Sequence, residues 1–280
     1  MSVAASMTAT RPSVLFIHGL WLHASSWRPW QDYFEQAGYD VLAPGWPNEP
    51  DTVLEARRHP EYVAGLGLNQ VAAHYAGIIA GLPTPPVVIG HSFGGLVALM
   101  LLDHGLVSAA VAIDPAPVKG VWRVPPRQLH AAWPALSRPR TRHRAVSLSR
   151  HQFRFGFGNC LSTAQSDELY EHYAIPSPGR PVWQAALANL NPSAQSKVDT
   201  HKRRAPLLLM AGERDNTVPP GTTRAMRRAY GHSPSPTEFI EWPGRGHSLV
   251  LDEGWRDLAE YTVGWLRLEP AEEDTCLQTV

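Results

Sequence analysis

At 280 residues the chain is long enough to bury a large core, as one large domain or two small ones. Hydrophobic residues make up 44% and charged residues 18%, a globular balance rather than a disordered one. Lys+Arg and Asp+Glu are equal at 25 each, so no global field favours nucleic acid or an anionic membrane.

The first residues, "MSVAASMTATRPS", lack both a basic start and an apolar core of signal-peptide length, which leads us to expect a flexible segment over 1–11 and a cytoplasmic protein. A short strand follows in "SVLFIHG", then an amphipathic helix in "SSWRPWQDYFEQAGY" that Gly38 closes, and a second strand in "DVLAPG". Residues 46–68 are rich in Pro, Gly and charge and read as a loop. "NQVAAHYAGIIAGL" is a helix, "PVVIG" a strand, "FGGLVALMLLDHG" a helix and "SAAVAIDPAP" a strand that prolines stop. From 118 to 204 the rhythm breaks into Arg, Pro and Trp with short helical pieces such as "AQSDELYEHYA". Regular alternation resumes with the strand "APLLLMAG", the helix "PPGTTRAMRRAYG", the strand "TEFIEWPG" and the helix "LDEGWRDLAEYTVGWLRL". The acidic end, 269–280, reads as disordered.

Strands alternating with helices predict a mostly parallel sheet covered on both faces. The core is then 12–117 plus 205–268. The 118–204 segment is too long for a plain loop and becomes an inserted helical cap over the C-terminal strand ends, where ligands bind in such sheets. No apolar run is long enough to span a bilayer. Cys160 and Cys276 lack metal or redox spacing, "HQFRFG" and "HYAIP" lack paired ligand spacing, and "GHSFGG" lacks the Lys of a phosphate loop. No metal and no cofactor is expected, and the partner is a small-molecule substrate, with the chain a monomer or homodimer.

One motif carries chemistry. Gly90-His91-Ser92-Phe93-Gly94 fits G-x-S-x-G, a sharp strand-to-helix turn that holds its serine in a strained conformation and leaves the next amide free at a helix N-terminus. A serine hydroxyl needs a base to become a nucleophile. His247, after the last strand, fits that role. His91 adjoins the serine but should point beneath the turn. The base needs a carboxylate to set its tautomer. Asp215, shortly after the penultimate strand, is favoured; Asp114, after the strand that follows the nucleophile helix, is the alternative acid. The tetrahedral oxyanion needs two donors. The amides of Phe93 and of Leu20, in the loop opened by Gly19, are the candidates, and Trp21 shares that role or walls the pocket. Substrate-binding candidates are Trp21, His91, Trp122 and Phe153.

"HGLWLHASSW", "GHSFGG", "GERDNTVP" and "GRGHS", in this order, resemble the α/β-hydrolase superfamily over residues 12–268, in particular its single-domain esterases, cofactor-free haloperoxidases and C–C hydrolases with a helical cap. The resemblance implies a Ser92–Asp215–His247 triad with Leu20 and Phe93 as oxyanion donors. It implies a carboxylesterase-like serine hydrolase acting on an ester, thioester or lactone of a small to medium apolar molecule. The same triad serves C–C hydrolysis, perhydrolysis or a lyase or cyclase step, and some ligand-binding receptors share the fold. No motif of a characterised cap stands out in 118–204.

Overall fold

The structure is a computed structural model that describes residues 11–122 and 125–268. The expected flexible start and disordered tail therefore lie outside the described residues, Arg11 excepted. The strands are β1 (Ser13–Ile17), β2 (Asp40–Leu42), β3 (Val87–His91), β4 (Ala109–Ile113), β5 (Ala145–Val146), β6 (Ser177–Pro178), β7 (Leu207–Gly212) and β8 (Thr237–Trp242). The helices are α1 (Arg28–Gln36), α2 (Val53–Arg58), α3 (Leu68–Ala80), α4 (Phe93–Asp103), α5 (Pro126–Leu136), α6 (Arg150–Gly156), α7 (Thr163–Tyr173), α8 (Arg180–Ala186), α9 (Pro220–Tyr230) and α10 (Trp255–Leu268).

Six strands pair in parallel in the order β2-β1-β3-β4-β7-β8. This is the α/β-hydrolase fold. Its inner strands are apolar without alternation because both faces are covered, and every residue of β1, β3, β4 and β7 is buried. Successive side chains still go to opposite faces. Val14 and Phe16 meet Trp27, Trp30 and Phe34 from the α1 side and Leu258 of α10, while Leu15 and Ile17 join a core built on α3, α4 and α9. Each such fully buried aliphatic or aromatic side chain contributes roughly 1.5–3 kcal/mol. Helix α4 is buried from Phe93 to Leu102, all the way round, as expected of a helix inside the core.

Two local expectations need correction. Residues 46–68 are not wholly loop: Thr52 accepts the amide of Glu55 and starts α2, and Pro60–Val63 makes a 3-10 turn. The last helix starts at Trp255 rather than near Leu251, because Asp252 is turned back onto the Arg245 guanidinium and accepts the amide of Gly254.

Between β4 and β7 lie α5 to α8 and an antiparallel ribbon of β5 with β6. This insertion is anchored to the sheet domain by backbone contacts. The amide of His23 donates to the Tyr173 carbonyl, and that of Ile175 to the Trp21 carbonyl. Arg57 donates to the carbonyls of Tyr170, Glu171 and Ala174.

Candidate active site

Ser92 sits between the last residue of β3 and the first of α4, with φ 56° and ψ −121°. This is a conformation that a non-glycine residue holds only under constraint. The constraint is close packing of the backbone around it. A Cβ on Gly94 would lie 2.1 Å from the Ile17 carbonyl oxygen, and one on Gly90 would lie 2.2 Å from that of Gly94. The turn is tied to β4 as well: the Ser92 amide donates to the Ile113 carbonyl, and the Ser92 carbonyl accepts from Ala116.

The hydroxyl is 3.0 Å from Nε2 of His247, and Nδ1 of the same ring is 2.6 Å from Oδ2 of Asp215. All three side chains are buried. Asp215 is itself oriented, since its Oδ1 accepts from the amides of Thr217 and Val218. With Nδ1–H donating to Asp215, Nε2 carries the lone pair that accepts Ser92 Oγ–H. His247 rides on a loop that Arg245 organises through Asp252 and the carbonyls of Leu249 and Gly254.

The rival acid, Asp114, is buried beside this pair, but its Oδ2 is 3.8 Å from His247 Nδ1, beyond hydrogen-bond reach. Its Oδ1 accepts the Gly212 amide. Burial first, then the neighbouring Asp215 carboxylate, push its pKa well above the usual range, which favours its neutral form. Among the described residues His91, Asp114 and His247 offer ligand atoms within 4.8 Å of one another. Both His247 nitrogens are engaged with Asp215 and Ser92, however, and a metal there would have to displace one of them.

The loop after β1 lies directly on Ser92: a Cβ on Gly19 would be 2.7 Å from the Ser92 Cβ. Trp21 holds φ 65°, and its amide donates to Ser177 Oγ. That commitment leaves Leu20 as the loop's candidate donor for an oxyanion. Phe93 opens α4, where N–H groups have no carbonyl of their own helix to bond. The loop is braced from behind. His18 Nε2 is 3.1 Å from Glu49, His18 Nδ1 donates to the Gly19 carbonyl, and Trp46 Nε1 donates to the His18 carbonyl. Burial alone would lower the His18 pKa, but Glu49 raises it above the ordinary value; burial would raise that of Glu49, but His18 lowers it. Each group therefore favours the charged form of the other.

Ser92 opens into a cavity of about 220 Å³. Its walls are Trp21, Phe93, Ala116 and Pro117 from the sheet domain, Leu129, Ala132 and Leu136 of α5, Val182, Ala185 and Ala186 of α8, and Val218. Besides Ser92, the polar side chains lining it are Gln128 and Thr217, and Thr217 gives its hydroxyl proton to the Gly156 carbonyl.

Of the substrate-binding candidates, the cavity includes Trp21 and not the other three. Trp122 is 69% exposed on the surface. Phe153 is fully buried and stacks on Phe157, which meets the His247 ring edge-to-face at 4.9 Å. His91 points beneath the turn, where its Nε2–H donates to the His247 carbonyl; burial, then His247, hold its pKa well below the usual value. Phe157 and Glu49 were missed. Phe157 lies in "FRFGFGN", whose period-2 aromatics gave no way to tell which ring faces the histidine, and Glu49 lies in a stretch read as loop.

The alpha/beta hydrolase family model matches residues 14–261. The chain belongs to the alpha/beta hydrolase family. This hydrolase has no match among curated proteins. Solved structures similar to it include a pyrethroid hydrolase from Sphingobium faniae, at 18% identity and TM-score 0.62, with 94% of this chain and 100% of that one covered. A monoacylglycerol lipase from Paleococcus ferrophilus is 21% identical at TM-score 0.63, covering 92% of this chain and 95% of that one. A methylesterase from Arabidopsis is 14% identical at TM-score 0.64, covering 92% and 100%. At these identities the likeness is one of fold.

Proposed function

We propose that this alpha/beta hydrolase is a serine carboxylesterase that cleaves esters, thioesters or lactones of small to medium apolar molecules through an acyl-enzyme on Ser92. The observation that carries the reading is the hydrogen-bond chain Asp215–His247–Ser92 ending at an apolar cavity. Ser92 Oγ attacks the carbonyl carbon while its proton passes to His247 Nε2, and Asp215 stabilises the imidazolium. The carbonyl oxygen, now negative, takes the N–H groups of Leu20 and Phe93. Collapse breaks the C–O (or C–S) bond as His247 protonates the leaving group. Water then gives a proton to His247 and attacks the acyl carbon, and the proton returns to Ser92 as the acid leaves. The insertion acts as the cap: α5 and α8 supply most of the apolar wall and no charge, which selects for an uncharged acyl or alcohol part. The solved neighbours named for hydrolase, lipase and methylesterase activities are consistent with ester chemistry on this frame.

A fluorophosphonate probe and a series of p-nitrophenyl esters test this. Wild type is labelled and turns the esters over, and Ser92→Ala loses both. Full esterase activity in Ser92→Ala, or a labelled enzyme with no ester turned over, defeats the reading.

A further inference from the structure

The chain is neutral overall, but its charge is unevenly placed. Between Asp114 and Asp167 the sequence carries nine Lys and Arg and no Asp or Glu. This stretch forms the first half of the insertion. Arg127, Arg138, Arg140, Arg142 and Arg144 are exposed there. Among the described residues no carboxylate pairs with these five. Of the acids that follow, Asp167 and Glu171 are taken by Arg154, Arg150 and Arg57, while Glu168 is exposed.

Large apolar side chains break the surface in the same region. Leu129 and Trp133, one turn apart on α5, are both exposed, and Leu129 also lines the cavity, so this face borders its mouth. Leu187, just past α8, shares a shallow depression with Arg142. Leu190, 74% exposed, follows within a turn. Trp122 is held beside it, since Asn189 accepts the Gly120 amide and donates to the Val121 carbonyl. Lys119 sits there too, donating to the carbonyls of Asn191 and Pro192.

A single exposed leucine needs no explanation, but two indoles and three leucines exposed on one insertion, with one of the leucines lining the cavity, do. Set among unpaired arginines, they form a surface of the kind that meets anionic lipid. Trp and Leu enter at headgroup depth, and Arg binds the phosphates. A second copy of the chain is a poor occupant, because opposing this face to itself would bring unpaired arginines against arginines. We propose that this face of the insertion seats on an anionic lipid surface with the cavity mouth turned toward it. On the reading of Ser92 as nucleophile, the substrate class is then an ester that partitions into that surface and enters past Leu129. Electrostatic neutrality of the whole chain does not oppose this, since attraction acts within a Debye length of the face that approaches.

Cosedimentation of the full chain with vesicles tests the proposal, using phosphatidylcholine alone or with about one third phosphatidylglycerol, at low and high salt. The protein binds the anionic vesicles, high salt releases it, and Trp133→Ser weakens it. A combined Arg138→Gln, Arg140→Gln and Arg142→Gln variant partitions about a hundredfold less, at roughly fivefold per arginine near the surface. Unchanged hydrolysis of a soluble ester shows that both variants are folded. Ser92→Ala binds like wild type, which separates docking from the esterase reading. Equal binding to neutral and anionic vesicles, or none to either, overturns the proposal. So does a dimer in light scattering that Trp133→Ser dissociates, since a second copy then covers the face.

Discussion

An Asp215→Asn substitution changes one atom and should reverse the polarity of the site. Oδ1 of Asp215 accepts from Thr217 N–H at 2.6 Å and from Val218 N–H at 2.9 Å. Asparagine keeps those two bonds only by turning its carbonyl oxygen toward them, which aims its NH2 group at His247 Nδ1. Nδ1 must then accept, the ring proton moves to Nε2, and Nε2 no longer has a lone pair for Ser92 Oγ–H. Loss of the correct tautomer in such a site costs about ten-thousandfold in kcat. Asp114→Asn makes the control. The raised pKa of Asp114 favours its neutral form, and its Oδ1 accepts the Gly212 amide at 2.8 Å. Asparagine keeps that acceptor and offers N–H where the acid offered O–H. The loss should stay below about tenfold, since a neutral hydrogen bond contributes about 1 kcal/mol. Initial rates with a p-nitrophenyl ester, with melting curves to show that each variant is folded, read the difference. Equal losses in the two variants, or an Asp215→Asn enzyme within tenfold of wild type, would refute the reasoning and make Asp114 the working acid.

Two further outcomes follow from the same geometry. The His18–Glu49 pair adds stability above Glu49's unfolded value of 4.5 and below His18's unfolded value of 6.5. That stability is lost as pH falls through the lowered Glu49 pKa or rises through the raised His18 pKa. Above pH 6.5 the wild-type melting temperature should therefore fall more steeply than that of Glu49→Gln, and parallel curves would show that the pair is not charged in the folded state. Ala185→Phe places a ring in the 220 Å³ cavity from the α8 wall and leaves the hydrogen bonds of the Ser92–His247–Asp215 chain with their own residues. Octanoyl esters should lose about tenfold or more in kcat/KM while acetyl esters are spared, because the cost of a misfit hydrophobic pocket is set by the methylenes it must hold. Equal losses for both esters would place the acyl chain elsewhere.

The alternation of strands and helices was legible because it is local. The apolar runs of β3 and β7, the turn glycines around Ser92 and the proline that opens α9 act within a few residues of themselves. The position of Ser92 on a strand-to-helix turn was legible for the same reason. The order of strands, with β4 beside β7 across the whole insertion, was not written in any one segment. Residues 46–68 went astray because their Pro, Gly and charge masked a local cap, Thr52 on Glu55, and because the buried Glu49 takes its meaning from His18 and His23, outside the stretch.

By itself, then, the sequence determined the class of fold, the strained serine and a short list of bases and acids that loops at one sheet edge could deliver. Only the tertiary structure showed which of them meet. Asp215 and Asp114 both lie beside the ring of His247, and a distance of 2.6 Å against 3.8 Å separates the carboxyl group that hydrogen-bonds it from the one that does not. Phe157 touches that ring and Phe153 does not, although both are aromatics of one helical stretch. Trp122 faces solvent while Trp21 walls the cavity. The physical reason is common to all three. Local sequence sets backbone conformation, whereas which side chain meets which is fixed, to within an ångström, by the packing of segments that are distant in the chain.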